Sequence, residues 1–185
     1  MGAGKSTALA ALKRLGAAVL STDAVVHELY AGHELRGAVV ARWGPEVAPG
    51  EVVDRSAVAQ RVFADEDERK WLESLLWPLV GQRVVAWLEE ARAARPAPPA
   101  AVVEVPLLFE AGMESAYDAT IAIVASEHLR RQRAAGRGHA LADERAARQL
   151  SQEEKSSRAS FTVVNDGSEE ELQRELSTVL AKLQG

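Results

Sequence analysis

Met1-Gly2-Ala3-Gly4-Lys5-Ser6-Thr7 decides how the rest of the chain is read. Gly-Lys-Ser opening a helical pattern is the working half of a phosphate-binding loop of the form G-x-x-x-x-G-K-[ST]. In that loop backbone N–H groups wrap nucleotide phosphates, the Lys reaches the β- and γ-phosphates, and the hydroxyl binds Mg²⁺. Gly4, Lys5 and Ser6 fill its last three positions, and Gly2 to Thr7 are the candidate phosphate contacts. The first glycine, and the buried strand that delivers such a loop, would have to precede Met1. Ala8 to Leu15 carries apolar residues at helical spacing with Gly16 as its stop, so phosphate would sit at a helix N-terminus, where unpaired N–H groups and the helix dipole favour an anion. A chance N-terminal turn has the same residues, and the remaining chain must decide between the two.

The chain has 185 residues, 47% of them hydrophobic, which is enough for one domain with its own core. Its net charge of −5 argues against coating nucleic acid or an anionic membrane, and the absence of cysteine removes disulfides and thiolate metal sites. There is no apolar run of the ~18 residues expected of a membrane span, and the start lacks the basic and apolar regions of a signal peptide. These features together predict a cytoplasmic protein.

After Gly16, Ala17 to Leu20 reads as a buried strand following a helix, the pattern of a parallel α/β sheet. Asp23 then lies just past a strand's carboxyl end, where open α/β sheets hold ligands. It is equally placed to cap a helix over Ala24 to Leu29, and the two roles are compatible. From Gly32 the pattern is helical: His33 to Trp43, a loop bracketed by Gly44-Pro45 and Pro49-Gly50, a helix to Phe63 capped by Asp54 or Ser56, and a long one from Glu66 to Ala94 capped by Asp65. Pro78 is expected to kink or break the last. Such an insertion either covers substrate or simply packs on the sheet.

A stiff connector, Arg95 to Pro99, leads to Ala100 to Val105, whose β-branched run predicts a strand covered on both faces. Pro106 to Gly112 is a turn carrying Glu110, which can equally be a solvated loop residue. Asp118 to Ala125 predicts another strand, with Ser126 capping a following helix through Arg148. That segment holds Arg130, Arg131, Arg133, Arg137, Arg145 and Arg148. Arg130 and Arg131 read as solvated, whereas Arg133 and Arg137, four apart on one face before Gly138, can address one anion. Arginines over a transferring phosphate are a recurring device, because guanidinium donors bind phosphate oxygens in a fork. Capping boxes at Ser151/Glu154 and Ser168/Glu171 open two more helices around a strand at Phe161 to Val164. Leu172, Leu176, Val179, Leu180 and Leu183 form the stripe of the last helix, and Asn165-Asp166-Gly167 turns between it and that strand.

Taken together these residues resemble the dephospho-coenzyme A kinase family, P-loop kinases of the nucleoside-monophosphate-kinase type, along essentially the whole chain. Gly4-Lys5-Ser6-Thr7 with Ser21-Thr22-Asp23 is similar to the family's loop and its Asp-Ala-Asp segment. Leu129 to Gly138 resembles the Leu-x-x-x-Arg-x-x-x-Arg-Gly lid, Pro106 to Glu110 the Pro-Leu-Leu-Phe-Glu turn, and Asn165 to Ser168 the Asn-x-Gly-Ser turn. Three features depart from the pattern: Ser21 stands for the first acid of Asp-Ala-Asp, Trp77-Pro78 stands for a His-Pro pair, and the first strand and loop glycine are missing. The natural protein is expected to begin roughly ten residues earlier, with a strand of about 5–6 residues.

The resemblance implies a P-loop NTPase fold: a parallel sheet with helices on both faces, a helical substrate insertion, a short helical lid, and a first strand absent from this chain. It implies one kinase domain over residues 1–185, with core at 1–30 and 100–185, insertion at about 31–95 and lid at about 130–150. The implied reaction moves the γ-phosphoryl of ATP to the ribose 3′-hydroxyl of dephospho-coenzyme A, giving coenzyme A and ADP. Lys5 would neutralise phosphate oxygens, Ser6 would help hold Mg²⁺, and Asp23 would accept the hydroxyl proton. Arg133 and Arg137 would close over the γ-phosphate, and Asn165 would lie beside adenine. Other readings stay open: a kinase of the nucleotide, shikimate or gluconate type, or an inactive chain that serves as an interaction module for want of its strand.

Overall fold

In the computed structural model, which describes residues 2–135 and 149–184, contacts gather the chain into two units. One is Met1–Val19 with Ala94–Gly185; the other is Leu20–Ala93.

In the first unit, α1 (Lys5–Arg14) buries Ala8, Ala11 and Leu12, three and four residues apart and so on one face. It ends where Gly16, at φ 89, turns left-handed and donates its N–H to the Lys13 carbonyl; a side chain there would be strained. Strand β1 (Ala18–Ser21) pairs with β2 (Ala101–Glu104), and β3 (Ile121–Val124) pairs in parallel with β4 (Phe161–Val164), Ile121 opposite Phe161 and Val124 opposite Val164. Between β3 and β4 the chain forms α6 (Glu127–Ala135) and α7 (Gln152–Arg158), and after β4 it closes with α8 (Glu169–Gln184). Val163 of β4, the inner face of α1, and Leu172, Leu176, Val179 and Leu180 of α8 make one core. Each such leucine contributes about 1.5–3 kcal/mol of burial.

The α/β fold with parallel strands is as expected, its strands pairing among the described residues as β1 with β2 and β3 with β4. Two details differ from expectation. Strand β2 spans Ala101–Glu104 and is not covered on both faces as expected, since Ala101 is exposed and Val102 to Glu104 are half-buried. Leu183, 40% exposed, lies outside the stripe that Leu172 to Leu180 bury, one turn past the end of that core. Both predicted capping boxes are formed: Ser151 and Glu154 exchange side-chain-to-backbone bonds at 2.8 and 3.1 Å, and Ser168 and Glu171 at 2.8 and 3.2 Å.

The second unit is helical: α2 (Thr22–Ala31), α3 (His33–Trp43), α4 (Arg55–Ala64) and α5 (Glu66–Ala93). Leu35, Val39, Trp43, Val47, Val58 and Leu72 are among its core. Asp54 Oδ1 accepts the N–H groups of Ser56 and Ala57, and Asp65 Oδ1 those of Asp67 and Glu68, so both predicted acids cap. Trp43 meets Trp71 edge to face with centroids 5.0 Å apart, and its indole N–H donates to Glu68 at 2.7 Å. Glu68 also takes both arms of Arg42, at 2.9 and 3.1 Å. The guanidinium bonds, then the indole bond, hold the Glu68 carboxyl below the usual range.

Pro78 does not break α5, which runs unbroken through it. A proline inside a helix costs ~3 kcal/mol, but buried side chains on both sides of it, Leu72 and Leu76 before and Val84 and Ala91 after, keep the two halves helical.

Candidate active site

The loop ahead of α1 is shaped by two glycines. Gly2 and Gly4 have φ values of 79 and 90, in the left-handed region that side chains rarely adopt. They are also crowded: a Cβ on Gly2 would lie 2.4 Å from the Arg130 carbonyl oxygen, and one on Gly4 would lie 2.0 Å from Asn165 Nδ2. Gly4 occupies the N-cap position of α1, Lys5 opens the helix half-buried, and the Ser6 residue is exposed beside it. No side chain among the described residues caps that end, so its amides and the helix dipole are left to face an anion. Ala3 and Thr7 are half-buried neighbours.

Asn165 fastens the loop to the sheet. Its N–H donates to the Val124 carbonyl at the end of β3, and its Nδ2 donates to the Ala3 carbonyl at 2.9 Å. Its own carbonyl accepts from Arg133 Nη1 at 2.9 Å. The residue is buried, so leaving these groups unpaired would be costly. Arg133 and Asn165, predicted for two separate jobs, are therefore joined to each other beside Gly4. Arg137, the other predicted lid arginine, lies outside the described residues, as do Arg145 and Arg148. Arg131, expected to be solvated, is exposed and paired with Glu127 on its own helix.

Glu110 is not a solvated loop residue. Its side chain is 13% exposed, its Oε1 lies 2.8 Å from Lys155 Nζ, and the same oxygen accepts the Leu150 N–H at 2.9 Å. Burial alone would raise its pKa; the hydrogen bonds from Lys155, from its own backbone and from Leu150 outweigh that and hold the carboxyl below the ordinary range. Glu114 pairs with Arg158 close by, and the Arg158 guanidinium lies 5.4 Å over the Phe109 ring. Sequence reasoning missed Lys155 and Arg158 because their partners lie tens of residues away. It also missed Gln152, whose amide clasps both the N–H and the carbonyl of Ala125 at 2.9 and 2.8 Å.

In the helical unit, Asp23 lies in the first turn of α2, exposed, with Ser21 at the N-cap position. It is therefore not the cap that the sequence allowed, and its carboxylate is left for other work.

The parallel strands, the paired left-handed glycines and a Lys-Ser helix start define a P-loop kinase. A family model described as dephospho-CoA kinase matches residues 1–171, and the chain belongs to the dephospho-CoA kinase family. The chain is 38% identical over 187 residues to a dephospho-CoA kinase of Anaeromyxobacter dehalogenans, covering 98% of this chain and 88% of the relative. To that of Thermus thermophilus it is 37% identical over 190 residues, covering 100% and 89%. The crystal structure of TT1252 from Thermus thermophilus superposes with a TM-score of 0.78 at 35% identity, covering 100% of this chain and 94% of that one. The dephospho-CoA kinase from Campylobacter jejuni shares the fold, with a TM-score of 0.69 at 23% identity over 98% and 92% of the two chains. The chain is an ATP-dependent kinase that phosphorylates dephospho-CoA at its 3′-hydroxyl to give CoA. No helix among the described residues is long and apolar enough to cross a membrane.

Proposed function

We propose how this chain's residues divide the reaction. The Gly2–Thr7 corner receives the β- and γ-phosphates of ATP, Lys5 neutralises their oxygens, and Asp23 orients the 3′-hydroxyl of dephospho-CoA and accepts its proton. The observation that carries this reading is the uncapped start of α1 behind two left-handed glycines, held open by Asn165. Phosphoryl transfer needs positioning and charge neutralisation more than covalent chemistry from the protein, and the corner is built for both. An exposed hydroxyl beside the phosphate site fits a hard cation that prefers oxygen ligands, so Ser6 would hold Mg²⁺. The ion supplies charge neutralisation on the phosphate oxygens.

Arg133 stands beside Gly4 and reaches the γ-phosphate region from there, with Arg137 completing the lid. Asn165 borders the adenine. The helical unit recognises the acceptor, and no nucleic acid or membrane takes part. We place the reaction in the cytoplasm, where its phosphoryl donor ATP is available. The test is ADP release by the purified protein with and without dephospho-CoA, in the presence and absence of Mg²⁺. Release that requires both supports the reading, whereas release indifferent to Mg²⁺ overturns the role of Ser6.

A further inference from the structure

Among the arginines of the helical unit, Arg36, Arg42, Arg61 and Arg69 each face a carboxylate within 4.0 Å. Arg55, the first residue of α4, faces none among the described residues. The nearest acid in sequence, Asp54, is spent on the cap of α4. Arg55 instead donates from Nη1 to His27 Nδ1 at 2.9 Å, and its guanidinium lies 5.9 Å over the Tyr30 ring. A guanidinium has five N–H donors and never accepts; here one is used, and the others stay free on a group that lies over the Tyr30 ring. Because His27 Nδ1 accepts, the imidazole carries its own N–H at Nε2, a further donor.

The position of this group on α2 gives it a purpose. Asp23, His27 and Tyr30 lie four and then three residues apart, on one stripe of the helix. Asp23 makes no ion pair or hydrogen bond among the described residues, and Arg55 is engaged with His27 and Tyr30 instead. Four residues of helix advance about 6 Å, the order of span between the 3′-hydroxyl of a ribose and the phosphate on its 5′-oxygen. The acceptor carries both groups, an alcohol to be phosphorylated and a diphosphate a few bonds away. A forked, ring-backed cation with no acid of its own is the side chain suited to phosphate oxygens.

We propose that Arg55, with the His27 Nε2–H beside it, seats the 5′-diphosphate of dephospho-CoA and so sets the ribose with its 3′-hydroxyl at Asp23. The proposal rests on the reading of Asp23 as the residue that receives the acceptor hydroxyl. Arg55 acts as an acceptor-binding residue that selects for a phosphorylated nucleoside over a bare one.

The test uses AMP and adenosine as inhibitors competing with dephospho-CoA at saturating ATP, since the two differ by the 5′-phosphate alone. In the parent protein AMP should bind more tightly than adenosine by about tenfold or more, the scale of a charge-assisted hydrogen-bonded pair. In Arg55→Ala the two constants should converge through loss of AMP binding, adenosine being unchanged, and the KM for dephospho-CoA should rise about tenfold with kcat within about twofold. Arg55→Lys keeps the charge and the stem over Tyr30 but not the fork, and should fall between; it also decides the matter if Arg55→Ala does not fold. Equal weakening of AMP and adenosine, or an AMP preference that survives in both variants, overturns the proposal. Failure of the Asp23 reading looks different: Asp23→Asn would leave kcat intact while the AMP preference still depended on Arg55.

Discussion

Asn165 Nδ2 donates to the carbonyl oxygen of Ala3 at 2.9 Å, joining the turn after the last strand to the glycine corner across 162 residues of chain. The same amide nitrogen occupies the space that a side chain at position 4 would need. Replacing Asn165 by Ala should therefore loosen the corner without unfolding the protein. The expected cost is about 1 kcal/mol of stability for the lost hydrogen bond, with a several-fold rise in KM for ATP that exceeds the fall in kcat. Gly4→Ala should be worse on both counts, because it adds a left-handed strain of about 1–2 kcal/mol and drives a methyl into the amide. Thermal melts and ATP titrations of both variants check this; an Asn165→Ala protein with normal ATP kinetics would place the residue outside the nucleotide site.

What the sequence disclosed, and what it withheld, divides along physical lines. The helix starts at Asp54, Asp65, Ser151 and Ser168 were legible because capping is local: a short side chain meets an amide two or three residues ahead. The stripe Leu172 to Leu180 was legible from its period, and Gly16 as a stop from its place. The Glu110–Lys155 pair was not, since charge pairing over 45 positions leaves no local trace. Of the kink or break expected at Pro78, the break does not occur, because a penalty in one turn is offset by the burial that surrounds it. Asp23 was open to two readings, and the helix start two residues earlier, at Thr22, removed the cap. Within the site, Gly4, Lys5 and Asn165 were each visible as types, but the bonds from Asn165 to Ala3 and Arg133 needed the fold.

Glu110 and Lys155 make an acid-sensitive clasp. Because the folded state holds the Glu110 carboxyl below its ordinary value, the stability it adds is present above the unfolded pKa of about 4.3 and is lost as pH falls through the folded value. Urea midpoints taken from pH 7 down to about pH 3 should thus fall more steeply in the parent protein than in Glu110→Gln, the other acids being common to both. Lys155→Met should cost about 1–3 kcal/mol at pH 7, the penalty of a carboxylate deprived of its partner, and this cost should shrink in acid. Parallel curves for parent and Glu110→Gln would show that the carboxylate is not linked to folding.

Lys5 and Asp23 are expected to fail in different ways. Lys5→Ala removes the charge proposed to meet the phosphate oxygens and should abolish turnover. Asp23→Asn keeps the shape and removes the proposed base, so kcat should fall by about 10²–10⁴ while acceptor binding changes little. Steady-state kinetics with both substrates varied, and direct binding of dephospho-CoA to the Asp23→Asn protein, separate the two. Equal losses in kcat and acceptor affinity would reduce Asp23 to a binding or structural residue.

The two lid arginines should part company. Arg133 Nη1 is already engaged, donating to the Asn165 carbonyl at 2.9 Å, so Arg133→Ala disturbs the anchored loop as well as any phosphate contact. Stability and KM for ATP should suffer together, as they do in Asn165→Ala, and the two substitutions combined should cost less than their sum because the residues share a bond. Arg137, four positions after Arg133 in the sequence, is proposed for the lid role alone. Arg137→Ala should slow transfer with little change in melting temperature, and should raise the ADP formed per CoA formed, since a lid that fails to exclude water lets ATP hydrolyse. Measuring ADP and CoA in the same reaction gives the ratio directly. A ratio of unity in Arg137→Ala with unchanged kcat would remove Arg137 from the lid and leave Arg133 as the arginine that meets the γ-phosphate.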